Sequence, residues 1–395
     1  MAERRGPLWA LALAALLAQP EAHAEGPPSA RRVAPGPGRL AFRDGGFGTI
    51  RGITIGPIES ALHPDKGYGS KAYERTLDEV RRLGATWVSL TPFGRVWDLE
   101  PSGVSLRFEA PFEENEQAVR RAVAQAHARG LKVLLVPHLW VESGGWRGEI
   151  DPGDDATWKR WAESYRAFVM TWANIARETR ADMLSVGVEL RSWVTSNHAP
   201  SFVAIIRAVR QVYPGLLTYA ANWDDVTRTV ILGELDVIGI NAFYPLTDKP
   251  GAALRELVSG GHRVRRRVRA LAELWDKPVI FTEFGYTTRP DPALNPWEWP
   301  DRMSRVTVDE LAQADAYRAL LGPLIDEPGF AGMFMWRLYA DPDDMSQEAE
   351  WGFSPRGKLA ELVLRDAYAA HWAGDGPRPL GAALFRTAAE RVGVY

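Results

Sequence analysis

The chain has 395 residues, 46% of them hydrophobic and 25% charged, with a formal net charge of −3. That charge excludes nucleic acid as the main partner, because no basic excess exists to neutralise phosphates. There is no cysteine, which rules out disulfides, a thiol nucleophile and a lipid-anchoring thiol, so stability must come from an apolar core.

Residues 1–24 read as a signal peptide. Arg4 and Arg5 supply a positive start, Leu8 to Ala18 is an apolar stretch too short to span a bilayer, and Ala22-His-Ala24 offers small residues for cleavage. The expectation is a secreted or periplasmic protein, with no membrane partner once the signal is removed. Residues 25–46 are rich in Pro, Gly and Arg without apolar periodicity and read as a linker.

From there apolar runs alternate with amphipathic helical stretches. Strands are expected at Thr49–Ile55, Thr86–Leu90, Lys132–Pro137, Met183–Val188, Leu217–Ala220, Val237–Ile240, Val279–Thr282 and Gly332–Trp336. Helices are expected at Lys71–Leu83, Glu113–Arg129, Asp155–Thr179, Ser201–Tyr213, Leu254–Trp275, Val308–Ile325 and Gly357–Ala370, with Gly84 and Gly130 closing two of them. The basic run His262–Arg269 falls inside one helical pattern and reads as a solvated face. Near-continuously apolar strands are those covered on both faces, and eight of them with crossovers is the count of a closed (β/α)8 TIM barrel. An open doubly wound sheet is the alternative, but no G-x-G-x-x-G follows the first strand. The α/β barrel is placed at 47–373 as a single domain, with a short tail at 374–395 and a monomer expected.

Two glutamates sit where apolar strands run out: Glu189 after Met183–Val188, and Glu283 in Pro278-Val-Ile-Phe-Thr-Glu283-Phe-Gly-Tyr286. A carboxylate there is costly to bury without partners or a task. Two facing each other across a pocket can hydrolyse a glycosidic bond, one donating a proton and the other attacking or activating water. In a barrel, function gathers at the C-terminal strand ends. The candidates there are Arg95 and Trp97; His138, Trp140, Trp146 and Arg147; Trp193; Asn222 and Trp223; Asn241 and Tyr244; Tyr286; and Trp336. The chain holds 16 tryptophans. Flat aromatic faces stack on sugar C–H faces, while Asn, Arg, His and Tyr hydrogen-bond hydroxyls. Trp87, Trp161 and Trp172 lie inside predicted elements and read as core, whereas Trp140, Trp146, Trp223 and Trp336 read as ligand contacts.

Other chemistries lack their residues. No G-x-S-x-G elbow and no His or Cys pair at zinc spacing occurs, so no metal and no cofactor is expected. Asp341-Pro-Asp343-Asp344 with Glu348 and Glu350 does not follow the EF-hand spacing and reads as a solvated loop.

The motifs Pro137-His138, Gly145-Trp-Arg-Gly-Glu-Ile150, Gly187-Val-Glu189-Leu, Tyr219-Ala-Ala-Asn-Trp223, Asp236–Leu246 and Thr282-Glu-Phe-Gly-Tyr286 fall at successive strand ends. With Pro296-Trp297, Gln313 and Tyr317, this order resembles glycoside hydrolase family 113 over about Thr49 to Ala370. The resemblance implies a retaining (β/α)8 glycosidase acting mainly on β-1,4-mannan. It implies Glu189 as acid/base, Glu283 as nucleophile, and Tyr244 as the tyrosine set against that nucleophile. Val188 stands where many families of the clan have Asn, so Asn222 or His138 would contact the sugar 2-hydroxyl. The reading is thus a cofactor-free endo-β-1,4-mannanase whose partner is a polysaccharide or oligosaccharide. Glu189 would be held protonated, and Glu283 charged with help from Tyr244 and from Arg95 or His138. A β-glucanase or other β-glycosidase of the clan, and a non-catalytic polysaccharide-binding barrel, remain open at this point.

Overall fold

The computed structural model describes residues 49–56, 65–298, 306–344, 348 and 350–375. The expected signal peptide, the linker, and the tail beyond residue 375 lie outside them.

Eight parallel strands close into a barrel. They are β1 (Ile50–Gly56), β2 (Trp87–Leu90), β4 (Lys132–Leu135), β6 (Met183–Val188), β7 (Leu216–Asn222), β8 (Ile238–Asn241), β9 (Val279–Phe284) and β10 (Phe330–Tyr339), joined in the cyclic order β1-β10-β9-β8-β7-β6-β4-β2. The helices are α1 (Lys71–Arg82), α2 (Phe112–Ala128), α3 (Asp155–Thr179), the short α4 (Arg191–Val194), α5 (Ala199–Val212), α6 (Leu254–Trp275), α7 (Glu310–Ile325) and α8 (Leu359–Ala369). This is the expected TIM barrel. No described helix is long and apolar enough to cross a membrane.

Local chemistry sets the boundaries. Ser70, Asp154 and Asp309 cap α1, α3 and α7 by accepting backbone N–H bonds from the first turn. Gly84 and Gly130 take positive φ just past α1 and α2, as their positions predict. Each strand offers two buried faces. Inward, Ile50, Trp87, Leu134, Met183, Ile280 and Phe334 belong to one cluster that plugs the barrel, each contributing about 1.5–3 kcal/mol by leaving water. Gly52 makes room for this plug, since a Cβ there would lie 2.3 Å from the Phe334 ring. The outward faces pack on the helices. There α6 meets α7 so closely that a Cβ on Gly261 would fall 1.9 Å from the Ala319 carbonyl oxygen.

One feature departs from the sequence reading. The second and third barrel strands do not end at their prolines. After Pro92 and Pro137 the chain pairs again as a two-stranded parallel ribbon, β3 (Phe93–Val96) with β5 (His138–Val141). The His138 amide donates to the Pro92 carbonyl at the joint. Proline removes one ladder donor, which interrupts pairing but does not forbid its resumption. The last barrel strand, β10, also begins before and runs beyond the expected Gly332–Trp336.

Candidate active site

Glu189 is the first residue beyond β6 and has φ +51°, a left-handed conformation that a non-glycine residue adopts at a cost. Two backbone bonds hold it there: its own N–H donates to Ala220 O, and the next N–H donates to the Tyr219 hydroxyl. Three donors then converge on the carboxylate. Trp146 Nε1 and Arg147 Nη1 reach Oε2 at 2.8 and 3.1 Å, and Asn241 Nδ2 reaches Oε1 at 3.0 Å. Both oxygens of Glu189 therefore act as acceptors.

Trp146 and Arg147 are supported in turn. The Trp146 indole lies over the backbone of Gly148, where a Cβ would clash at 2.4 Å, and the Arg191 guanidinium covers its ring at 4.3 Å. Arg191 is anchored by Asp225 at 2.7 Å, and burial pushes the Asp225 carboxyl up to about 6. Arg147 also donates to Leu139 O.

Glu283, on β9, is set differently. It is buried, and its nearest charged-type partner is His138, whose Nε2 lies 3.3 Å from Oε1. Burial, with the negative charge of Glu189 added, pushes Glu283 up to about 8 against the opposing pull of Arg147 and Arg337. Burial, with the same two arginines, holds His138 well below the usual imidazole range, so His138 is neutral. Near neutral pH Glu283 is thus protonated, where the sequence reading expects it charged, and the physical reason is desolvation.

The other predicted positions divide into three groups. His138, Trp146, Arg147 and Asn241 touch the carboxylates directly. Trp336 stacks on His138 with ring centroids 6.2 Å apart, placing it beside Glu283. Asn222 pairs in register with Asn241 and donates to Asp224.

A second group lines aromatic surfaces leading away from the pair. On the ribbon, Phe93 links His138 to Trp140 and Phe108. Trp140 is 48% and Trp97 64% exposed. Arg95 bridges to Glu142 at 3.1 Å and lies over the Trp97 and Phe108 rings, so it supports this surface and not Glu283 as expected. On the opposite loops Trp223 stacks on the half-exposed Trp297 at 5.4 Å.

The third group is core. Trp193 is buried among Trp158, Trp161, Tyr165 and Phe202, with Nε1 donating to Ser201 Oγ, so it is no ligand contact. Tyr286 is fully buried and donates to Tyr244 O. Tyr244 is buried edge-on to Trp223, and its hydroxyl has no partner among the described residues, so the expected bond to Glu283 is not formed. Its ring packs against Trp223 and Phe281.

Comparison with known proteins fits this geometry. The family model for Glycoside Hydrolase Family 113 matches residues 61–358. The chain belongs to glycoside hydrolase family 113. It is therefore a glycoside hydrolase, and the idle-barrel alternative falls away. Among solved structures, a GH113 β-1,4-mannanase complex aligns with TM-score 0.70 and 24% identity, covering 82% of this chain and 99% of that one. The GH113 β-mannanase AaManA from Alicyclobacillus acidocaldarius, in complex with ManMIm, aligns at 0.69 and 26%, covering 82% and 97%. A family 5 mannosidase from Rhizomucor miehei shares the fold at 0.58 and 14%, over 81% and 92%. No curated protein matches the chain in sequence.

Within this family 113 barrel, three further residues belong to the site. Arg337, a strand-end residue in the sequence that was not taken as a site residue, lies over the Trp336 and Tyr339 rings and draws Glu283 and His138 down. It stands within β10, beyond the expected end of that strand. Thr282 donates to Asn241 Oδ1 at 2.8 Å, and nothing in a buried apolar strand marks that threonine. Trp297 was visible only as a motif residue. No metal-binding cluster of His, Cys, Asp or Glu occurs among the described residues.

Proposed function

We propose that this glycoside hydrolase cleaves β-1,4-mannan internally by double displacement, with Glu189 as acid/base and Glu283 as nucleophile. The observation that carries the reading is the buried carboxylate pair sharing the Asn241 amide, which bonds Glu189 and is close enough to Glu283 to favour its ionised form. Asn241, bonded to Glu189 Oε1, pairs in register with Glu283, which brings the two carboxyls to neighbouring positions. That favours retention, for which carboxyl groups stand about 5–5.5 Å apart, over inversion, where a water must fit between.

Glu283 attacks the anomeric carbon as the glycosidic bond breaks, and Glu189 gives its proton to the leaving oxygen. Glu189, now ionised, takes a proton from water. The water oxygen attacks the anomeric carbon and displaces Glu283, so configuration is retained. For this cycle Glu283, pushed up to about 8 by burial, must give up its proton before it attacks. Aromatic surfaces on two sides of the pair, Trp97 with Trp140 and Trp223 with Trp297, support a substrate chain running across the cleft, hence endo action. The β-mannanase relatives support mannan, and β-glucan is the alternative. Export follows from the sequence of residues 1–24, and sequencing the N-terminus of the mature protein tests it.

The resting proton on Glu283 favours a second reading in which the two roles are exchanged. Single substitutions separate them. Under the first reading Glu283→Ala is dead on every substrate. Glu189→Ala loses polysaccharide cleavage but still forms a glycosyl-enzyme from an activated aryl glycoside, and azide restores turnover with retained configuration. Azide rescue of Glu283→Ala alone would establish the exchanged roles, and rescue of neither would sink double displacement.

A further inference from the structure

Asn241 ends β8, is fully buried, and its place beside both carboxylates follows from an irregularity in the sheet. Ile240 pairs with Phe281, but Asn241 pairs with Glu283, so β9 carries one extra residue, Thr282, at this point. Successive residues of a regular strand face opposite sides. The bulge relaxes that rule and lets both Thr282 and Glu283 turn toward the same asparagine. Thr282 Oγ1 donates to Asn241 Oδ1 at 2.8 Å, and with the Glu189 carboxylate as acceptor at the other end it holds the amide in one orientation. A hydroxyl proton on the oxygen leaves Nδ2 aimed at Glu189 Oε1, and a flipped amide would set oxygen against oxygen.

The lone pairs of Glu189 are divided by the same contacts. Oε2 accepts from both Trp146 and Arg147 and has no site left, whereas Oε1 accepts only from Asn241. A carboxylate oxygen offers about two acceptor sites. The site open to an incoming proton is therefore on Oε1, the oxygen that Asn241 holds.

We propose that Asn241 is the positioning residue of the carboxylate pair: Thr282 fixes its amide, which then orients Glu189 so that Oε1 carries the transferred proton while the same nitrogen steadies Glu283. This rests on reading Glu189 and Glu283 as the reacting groups. The other charged groups around the pair are Arg147 and Arg337, with neutral His138 on the ribbon and the Arg191–Asp225 pair behind Trp146.

The test is a carbon-13 NMR titration of the full chain labelled at glutamate carboxyls, with Glu283→Gln assigning the Glu283 signal near 8. Asn241→Asp exchanges a donor for an acceptor, and Thr282→Val removes the hydroxyl while keeping side-chain volume. Each is expected to move the Glu283 midpoint upward, by roughly one pH unit for Asn241→Asp, a tenfold change in proton affinity. Thr282→Ser should restore it. On mannan, Thr282→Val should lower kcat roughly tenfold with KM little changed, the signature of an interaction made in the transition state. If Asn241→Asp does not fold, the two threonine variants decide. Glu283 titration curves that superimpose across Thr282→Val, Thr282→Ser and the parent would overturn the inference. A parent protein that cleaves no glycan would instead refute the glycosidase reading, leaving the titration to judge Asn241 by itself.

Discussion

Replacing Glu283 by glutamine should make the protein more stable, and by an amount that depends on pH. Burial and the charge of Glu189 raise the Glu283 carboxyl from 4.5 to about 8 in the folded state. The unfolded chain has neither influence. Folding therefore favours the protonated form, and the stability linked to this group is full below pH 4.5 and lost as pH climbs through 8. At about 1.4 kcal/mol per pH unit, the cost of keeping Glu283 reaches about 3 kcal/mol at pH 7 and about 5 kcal/mol at pH 9. These are ceilings, because any loosening of the site lets the charged form reach water. Glutamine has the same shape and no charge. Urea unfolding of parent and Glu283→Gln at pH 4, 7 and 9 measures the difference, in which titrating groups remote from the pair cancel. The variant should match the parent at pH 4 and gain steadily toward pH 9, while losing all hydrolysis. A difference that stays flat with pH would refute the argument that desolvation governs this carboxyl.

Trp146→Phe keeps the ring beneath Arg191 but deletes one hydrogen bond to the Glu189 carboxyl. At about 1.5–3 kcal/mol for such a bond, kcat/KM on mannan should fall about 10- to 150-fold, read by steady-state kinetics. Arg337→Met removes a cation that draws Glu283 down, so the midpoint should rise above its present value and the acid limb of kcat/KM should shift to higher pH. Trp297→Ala should raise KM for long oligosaccharides about tenfold and leave unfolding unchanged, because the ring is half exposed beside Trp223. Gly261→Ala should destabilise the barrel by roughly 1–3 kcal/mol in urea unfolding with kcat untouched, since the new methyl meets a backbone carbonyl on α7.

The barrel was legible because its strands are continuous apolar runs. Met183–Val188, Asp155–Thr179 and Leu254–Trp275 fall where periodicity puts them, each ended by a polar residue or a change of period. Pro92 and Pro137 hid the ribbon, since a strand that pauses for one missing donor looks like a strand that stops. Glu189 and Glu283 stood out because a carboxylate closing a buried run is chemically expensive. Their partners did not: whether Trp193 faces sugar or core depends on α4 turning it inward, and local sequence does not encode that turn. The raised Glu283 carboxyl was unreadable for the same reason, because it is set by how deeply the fold buries that group.

The ribbon of β3 and β5 has a consequence for how this cleft can change. His138 sits on it beside Glu283, and Trp97, Trp140 and Phe108 cluster on it or against it. Its two strands are tied by backbone pairing that continues from the barrel wall. The far side, where Trp223 and Trp297 meet, is made of loops. One bank of the cleft is therefore geared to the catalytic pair, so that shifting it disturbs binding and chemistry together. On the other bank Asp225 still bears on Glu189 through Arg191 and Trp146, but Trp297 stands outside that chain of contacts, which makes its loop the place where new substrate preferences can be grafted.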